Sequence, residues 1–168
     1  FSPQFYEQHL CVVAQYANKL AGVLGADPEI VELAALLHDI SAVRDIKTLA
    51  QHAQCSAQEA EEMLKRAGCP HDRVQRVKQS ILTHTAPVAK GNGTVEEMCV
   101  SNADAISQIV RPAYWLYFVF TMRKLAYKEG FDWLNARLDT NWNALIPEAR
   151  ELIKDEYATV KKALGYSI

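Results

Sequence analysis

The apolar residues of this chain recur at the three- and four-residue spacing of α-helices, and no segment alternates with the two-residue period of a strand. The first apolar stripe begins at Phe5 and includes His9, so this histidine is predicted to point inward. Gly25 ends that helix, and Asp27 followed by Pro28 predicts the start of the next.

The second helix is apolar on its inner face and ends abruptly in an adjacent imidazole and carboxylate, His38 and Asp39. A buried pair of this kind costs free energy unless something compensates for it, and a divalent cation would do so. Periodicity places one further histidine inward, because His84 shares a helix face with Val77 and Ile81.

Capping residues predict where three further helices begin, namely Ser56, Asp72 and Thr94. The segment 41–53 is predicted to be a connection with a short helix, and 85–93, with its proline and glycines, a loop.

The last part of the chain is predicted to contain three more helices. Arg111-Pro112 breaks the preceding helix, a strongly apolar helix follows over 113–129 and ends at Gly130, and a short helix covers 131–138. The final helix starts near Pro147. The pattern therefore predicts an all-α fold, which we interpret as a single domain over residues 1–168.

Composition narrows the classes of partner. With 49% hydrophobic residues, 23% charged residues and a net charge of -2, the chain is typical of a globular protein and lacks the broad cationic field of a polynucleotide-binding protein. The four cysteines show no paired spacing, which indicates reduced thiols and a cytoplasmic location. The longest apolar run, from Ala113 to Met122, is too short to span a bilayer, so no membrane association is expected.

The candidate chemistry is a set of imidazoles and carboxylates: His9, His38, Asp39, His52, His84 and Asp104. Nitrogen and oxygen donors without thiolate suit Mn, Fe, Co, Ni or Zn in a five- or six-coordinate site, and disfavour a structural zinc. Four of the six residues also have an ordinary structural interpretation. His9 and His84 could be hydrogen-bonded core residues and His52 could be exposed, while periodicity alone places Asp104 nearly opposite its buried stripe.

The order of these residues resembles the HD-domain metal-dependent phosphohydrolase superfamily, over Phe5 to Pro112. The similarity rests on a first-helix histidine, an apolar helix that ends in His-Asp-Ile, two later single histidines and an Ala-Asp-Ala segment around Asp104. Two segments sharpen it. His52 with the following Ser-Ala and Ala is similar to the H-x3-S-A-x2-A segment of small bacterial members, and residues 102–107 with Arg111-Pro112 are similar to the A-D-A-[LI]-S…R-P segment of HDIG-type phosphodiesterases.

The resemblance implies an HD-type helical bundle with a metal site in its core, formed by residues about 5–112, and a C-terminal helical extension over 113–168. It implies His9, His38, Asp39 and Asp104 as ligands of a first divalent ion. His52 and His84 would hold a second ion or face the substrate, with Asp39 bridging two ions, so that Asp39, His52 and His84 would be the catalytic residues.

Two departures from the family pattern bear on the substrate. Ile40 is followed by Ser41 rather than glycine, and His84 by Thr85, where members that cleave cyclic dinucleotides or RNA have a second histidine. These differences favour a small phosphorylated substrate over a polynucleotide.

The cations nearest in sequence to the predicted ligands are Arg44, Lys47 and Arg111. They are candidates for binding substrate phosphate, and ordinary solvated surface charge is the alternative.

The function predicted is hydrolysis of a small phosphate ester, nucleotide or pyrophosphate. One or two divalent ions would lower the pKa of a bound water towards about 7 and withdraw charge from phosphoryl oxygens. Two alternatives remain open at this point: an HD-like di-iron oxygenase, and a non-catalytic metal-stabilised regulatory module. The aromatic residues of 113–129 are assigned to core packing, with a homodimer contact or a substrate wall as the alternatives.

Overall fold

The computed structural model describes residues 3–165, and within this range the chain is helical with no strand. The predicted all-α class is therefore confirmed. The ends of the predicted 1–168 domain, residues 1–2 and 166–168, lie outside the described residues. None of the described helices combines the length and apolarity needed to cross a bilayer.

The first helix, α1, is one rod built from Pro3–Phe5, a π-helical turn Tyr6–Leu10 and Cys11–Leu24. A single 3₁₀ turn, Ile46–Gln51, separates two of the later helices. Those later helices are α2 (Pro28–Leu37), α3 (Ile40–Arg44), α4 (His52–Arg66), α5 (His71–Leu82), α6 (Val95–Val110), α7 (Pro112–Thr121), α8 (Tyr127–Ala144) and α9 (Pro147–Ala163).

Helix α6 is the centre of the bundle. It packs on α1, α2 and α5 on one side and on α8 and α9 on the other, so that residues 96–109 are buried all round. The residues that fill the surrounding core are mostly aliphatic, and the largest that are fully buried include Leu20, Ile30, Ile81, Ile106, Ile109, Leu134, Leu138 and Ile153. A helix enclosed on all sides can carry polar side chains inward from several faces, which the site requires.

Several predicted helix boundaries are confirmed. Asp27 caps α2 by accepting hydrogen bonds from the backbone of Glu29 and Ile30, and Pro28 occupies the first position. Thr94 and Glu97 form the predicted capping box of α6.

Two predicted caps are wrong. Helix α4 begins at His52, one turn before Ser56, because the buried Ser56 hydroxyl is hydrogen bonded to Ser41 instead of to the backbone of its own first turn. Helix α5 begins after Pro70, and Asp72 lies in its first turn without a side-chain capping bond.

The predicted apolar helix over 113–129 is also wrong in extent. Helix α7 ends at Thr121, the chain turns at Lys124 with a positive φ of 56°, and α8 begins at Tyr127. Gly130 lies inside α8 rather than ending a helix. A side chain at this position would collide with the ring of Phe120 on α7, which explains why the residue is glycine. The predicted short helix 131–138 is the middle of this longer helix.

Candidate metal centre

The first histidine of the site projects from the π-helical turn of α1. His9 is almost fully buried, and its Nδ1 lies 2.8 Å from the Ser107 hydroxyl oxygen on α6. That hydroxyl donates its own hydrogen to the backbone carbonyl of Asp104, at 2.8 Å. Because the hydroxyl proton is already committed, Ser107 accepts from His9, and the proton of the His9 ring resides on Nδ1.

The other three histidines are oriented in one common way. His38, His52 and His84 each direct Nδ1 at the backbone carbonyl three residues earlier, at 2.7, 2.8 and 2.6 Å respectively. A carbonyl oxygen only accepts, so each of these Nδ1 atoms carries the proton. All four rings therefore present an unprotonated Nε2 to the site, the arrangement in which an outer hydrogen bond fixes a metal-binding tautomer.

The four Nε2 atoms form two close pairs with the Asp39 carboxylate between them. His9 and His38 are 3.1 Å apart, and His52 and His84 are 3.0 Å apart. Asp39 Oδ2 lies 3.5 and 3.6 Å from the first pair, and Oδ1 lies 3.5 and 3.8 Å from the second. One carboxylate thus offers a different oxygen to each histidine pair.

A second carboxylate completes the first group. Asp104 Oδ1 lies 3.3 Å from His9 Nε2 and 3.8 Å from His38 Nε2, while its other oxygen accepts a hydrogen bond from Gln108 Nε2 at 3.1 Å. Asp104 is only 7% exposed. The expectation from periodicity that it is solvated is wrong, because α6 is buried on both sides.

The arrangement of these groups favours a bound cation. Asp39 Oδ1 is buried without a hydrogen-bond partner, and each histidine pair brings two nitrogen lone pairs together. Donor atoms of His9, His38 and Asp104 lie within 4.8 Å of one another, as do those of His38, Asp39 and His84. Nitrogen and oxygen donors at this spacing fit divalent transition metals, and Asp39 fits a bridge between two of them.

The pKa values of Asp39, His9 and His84 are each shifted by other members of the cluster. Burial raises the pKa of the Asp39 carboxyl, but the neighbouring His38 and His9 outweigh it and hold that pKa well below its usual range. Burial lowers the pKa of His9, but the carboxylates of Asp39 and Asp104 raise it further, so the net shift is upward. Burial and the adjacent His38 lower the pKa of His84 to about 4, which keeps its ring neutral at pH 7.

The site opens to the surface through a cavity of about 260 Å³. Its walls include three aromatic side chains, Trp115 and Phe118 of α7 and Trp133 of α8, beside the metal-binding groups. Because two of these rings come from α7, aromatic residues of the 113–129 segment line the cavity as well as pack in the core.

The three cations predicted to contact phosphate do not line this cavity. Arg44 lines a neighbouring cleft and pairs with Glu59 at 2.8 Å. Lys47 is exposed in the 3₁₀ turn, and Arg111 donates to the carbonyl of Val110 at the break between α6 and α7.

The cation that does line the cavity is Arg137 of α8, which the sequence analysis missed. The signal was present, since Arg137 lies on the same stripe of α8 as the buried Leu134, Leu138 and Asn141. An arginine on the inward face of a helix is unusual unless it has a partner or a ligand.

The chain is similar to known proteins in sequence pattern and in fold. The family model of the HD domain matches residues 6–109. Among solved structures, the fold is similar to the crystal structure of Bacillus subtilis YpgQ, with a TM-score of 0.73 and 20% sequence identity over 94% of this chain and 83% of that one. No curated protein matches the sequence significantly.

Proposed function

This chain belongs to the HD-domain family, whose members are generally metal-dependent phosphohydrolases, and we propose that it hydrolyses a small phosphorylated substrate with two divalent ions bound at the His and Asp cluster. A phosphate ester, a nucleotide or a pyrophosphate fits this proposal. The phosphohydrolase class comes from the family, and the residues that would perform it come from the geometry of the site.

One observation carries the proposal. The Asp39 carboxylate lies between two pairs of histidine nitrogens, each with a free lone pair, and one of its buried oxygens has no hydrogen-bond partner. His9, His38 and Asp104 would hold one ion with Asp39 Oδ2, and His52 and His84 would hold the other with Asp39 Oδ1.

The residues around the ions would perform the remaining tasks. Bound divalent ions supply an activated water and withdraw charge from phosphoryl oxygens. Asp39 would contribute one carboxylate oxygen to each ion, and the histidine tautomers keep Nε2 available. The rings of Trp115, Phe118 and Trp133 restrict the water that reaches the substrate, which strengthens electrostatic interactions inside the cavity.

The test compares two His-Asp dipeptides in the same chain. His38-Asp39 is in the site, whereas His71-Asp72 is exposed at the start of α5. We expect wild-type protein and D72N to contain divalent transition metal by elemental analysis, and to hydrolyse phosphate esters, nucleotides or pyrophosphate when Mn or Ni is added. D39N is expected to lose activity at least a hundredfold because both ions lose a ligand.

Four results would count against the proposal. Wild-type protein without metal above trace, or with metal but no hydrolysis across the panel, contradicts it. Equal activity of D39N and D72N contradicts the assignment of Asp39. Iron in the purified protein together with oxygen consumption would replace it with oxygenase chemistry at the same ligands.

A further inference from the structure

Arg137 lies outside the segment that matches the HD-domain model, on α8, and still lines the cavity of the metal centre. It is the only cation on the wall of that cavity among residues 3–165. The walls otherwise contain the acidic and imidazole groups of the centre, three aromatic rings, and the uncharged side chains of Leu49, Thr85 and Gln108. A positive charge here therefore faces the space in which a substrate would sit.

The guanidinium is held by one of its nitrogens. Arg137 Nε donates to Gln108 Oε1 at 2.7 Å, and Asn141 donates to the same oxygen at 3.2 Å. The Gln108 amide nitrogen in turn donates to Asp104 Oδ2. This chain of bonds fixes the direction of the arginine and connects it to a metal-binding carboxylate.

The terminal nitrogens of this guanidinium do not take part in the hydrogen bond to Gln108. Arg137 forms no ion pair with any carboxylate in the described part of the chain, although Asp104 lies one glutamine away. A half-buried guanidinium without a counter-charge is costly, and its fork of N–H groups matches two oxygens of a phosphoryl group. An anion that enters the cavity would supply that counter-charge.

We propose that the terminal guanidinium nitrogens of Arg137 bind phosphoryl oxygens of the substrate. The inference rests on the proposed function, because it takes the phosphoryl group to be held at the metal centre. It assigns substrate binding to a residue of the C-terminal helices, and it replaces Arg44, Lys47 and Arg111 in that role.

The alternative role of Arg137 is to brace Gln108 and, through it, Asp104. The two roles differ in what they predict for metal affinity. A brace would affect Mn²⁺ binding, since Asp104 would lose its orientation. A phosphate ligand would affect anion binding while leaving Mn²⁺ affinity largely unchanged.

The experiment uses inorganic phosphate and Mn²⁺ as separate probes, by isothermal titration of full-length protein. The variants are R137Q, R137K and, as a matched control, R66Q, which removes an exposed arginine at the end of α4 that does not line the cavity. In Mn²⁺-loaded protein we expect R137Q to weaken phosphate binding about tenfold or more, R137K to restore part of it through charge alone, and R66Q to match wild type.

The outcomes separate the inference from the proposed function. Phosphate binding by R137Q equal to that of R66Q overturns the role of Arg137, and so does a loss of Mn²⁺ affinity as large as the loss of phosphate affinity. If wild-type protein binds Mn²⁺ and phosphate but hydrolyses nothing, the proposed function fails, and the titrations still decide whether Arg137 is an anion ligand. R137K that folds as wild type and binds phosphate better than R137Q supports the inference.

Discussion

Each histidine of the centre is set for metal binding by an atom on its far side. Three of these acceptors are backbone carbonyls that come with the helix itself, whereas the acceptor for His9 is a side chain, the Ser107 hydroxyl. The orientation of His9 is therefore the one that a single substitution can remove.

We expect S107A to weaken the affinity of the first metal position by about 10- to 100-fold, because the His9 proton is no longer held on Nδ1. Mn²⁺ titration of metal-stripped protein measures this affinity. Removal of the buried hydroxyl is also expected to lower the free energy of unfolding by about 1–3 kcal/mol.

The matched control is S101A, on the same helix. Ser101 is equally buried and donates to a carbonyl one turn earlier, but its oxygen accepts from the backbone of Val88 rather than from a histidine. S101A should lose stability and retain metal affinity. An S107A protein that binds Mn²⁺ as tightly as S101A contradicts the role assigned to Ser107.

At the scale of single residues, the sequence predicted those site members whose own helix has one buried face. His9 and His84 lie on such faces, and periodicity placed them inward correctly. Asp104 failed this test because α6 is buried all round, so its position came from family resemblance. The helical stripe could have placed Arg137 inward, but its partner Gln108 is 29 residues away and no local pattern connects the two.

Among the helices, the contact between α7 and α8 determines the position of the aromatic rings that line the cavity. Gly130 allows the Phe120 ring to lie against the backbone of α8. The sequence offered this glycine as a helix end, which is its commoner use, and only the packing of the next helix shows the other reason for it.

We expect G130A to destabilise the protein by about 1–3 kcal/mol, because the added methyl group displaces Phe120, although alanine favours a helix over glycine by about 1 kcal/mol. Thermal unfolding measures the change. In an F120L background the collision is reduced, so G130A should become neutral or stabilising. The same destabilisation in both backgrounds would show that Phe120 is not the cause.

Helices α8 and α9 are joined by a polar contact that responds to pH. Asp139 accepts hydrogen bonds from Tyr157 and Lys161, both at 2.8 Å. Burial raises the pKa of the Asp139 carboxyl, but these bonds outweigh it and lower that pKa, while burial and Asp139 raise the pKa of Tyr157 to about 12.

We expect D139N to lower Tm at pH 7 and to have little effect in strong acid. The folded-state pKa of Asp139 is depressed, so its contribution is present above the unfolded value of about 3.9 and is lost as pH falls through the folded value. Thermal unfolding of wild type and D139N from pH 7 to pH 2 measures the difference. D155N, an exposed carboxylate on α9, is the control for loss of one charge. A difference that is independent of pH contradicts the assignment.

For the whole molecule, the metal centre connects parts of the chain that are far apart in sequence. The residues proposed as its ligands come from α1, from the end of α2, from the starts of α3 and α4, from the turn after α5, and from α6. Metal binding should therefore stabilise the bundle as well as serve chemistry.

We expect chelation to lower Tm and Mn²⁺ to restore it. An ion at a hundredfold excess over its Kd contributes about 2.7 kcal/mol, or roughly 5–10 °C for a chain of this length. Differential scanning fluorimetry with and without chelator measures the shift. H71A, outside the centre, should retain the metal-dependent shift, and H38A should lose it. A Tm that does not change with chelator contradicts a role of metal in stability.

At this scale the sequence predicted the all-α class correctly because helical periodicity is local, and it predicted the family correctly because the HD pattern is ordered along the chain. The sequence did not predict which helices lie over the site. Phe118, Trp133 and Arg137 reach the cavity only because α7 and α8 fold back over α6. The spacing of residues within one helix does not show which other helix it packs against.

The π-helical turn of α1 contains one more residue than an α-helical turn would, because its hydrogen bond runs from the Cys11 N–H to the Tyr6 carbonyl. One residue corresponds to about 100° of rotation, so removal of it would rotate the residues before the turn relative to those after it. A relative with a regular helix here would need a one-residue gap inside the helix, immediately beside the ligand histidine. Alignments that place gaps only in loops would then pair His9 with the wrong residue.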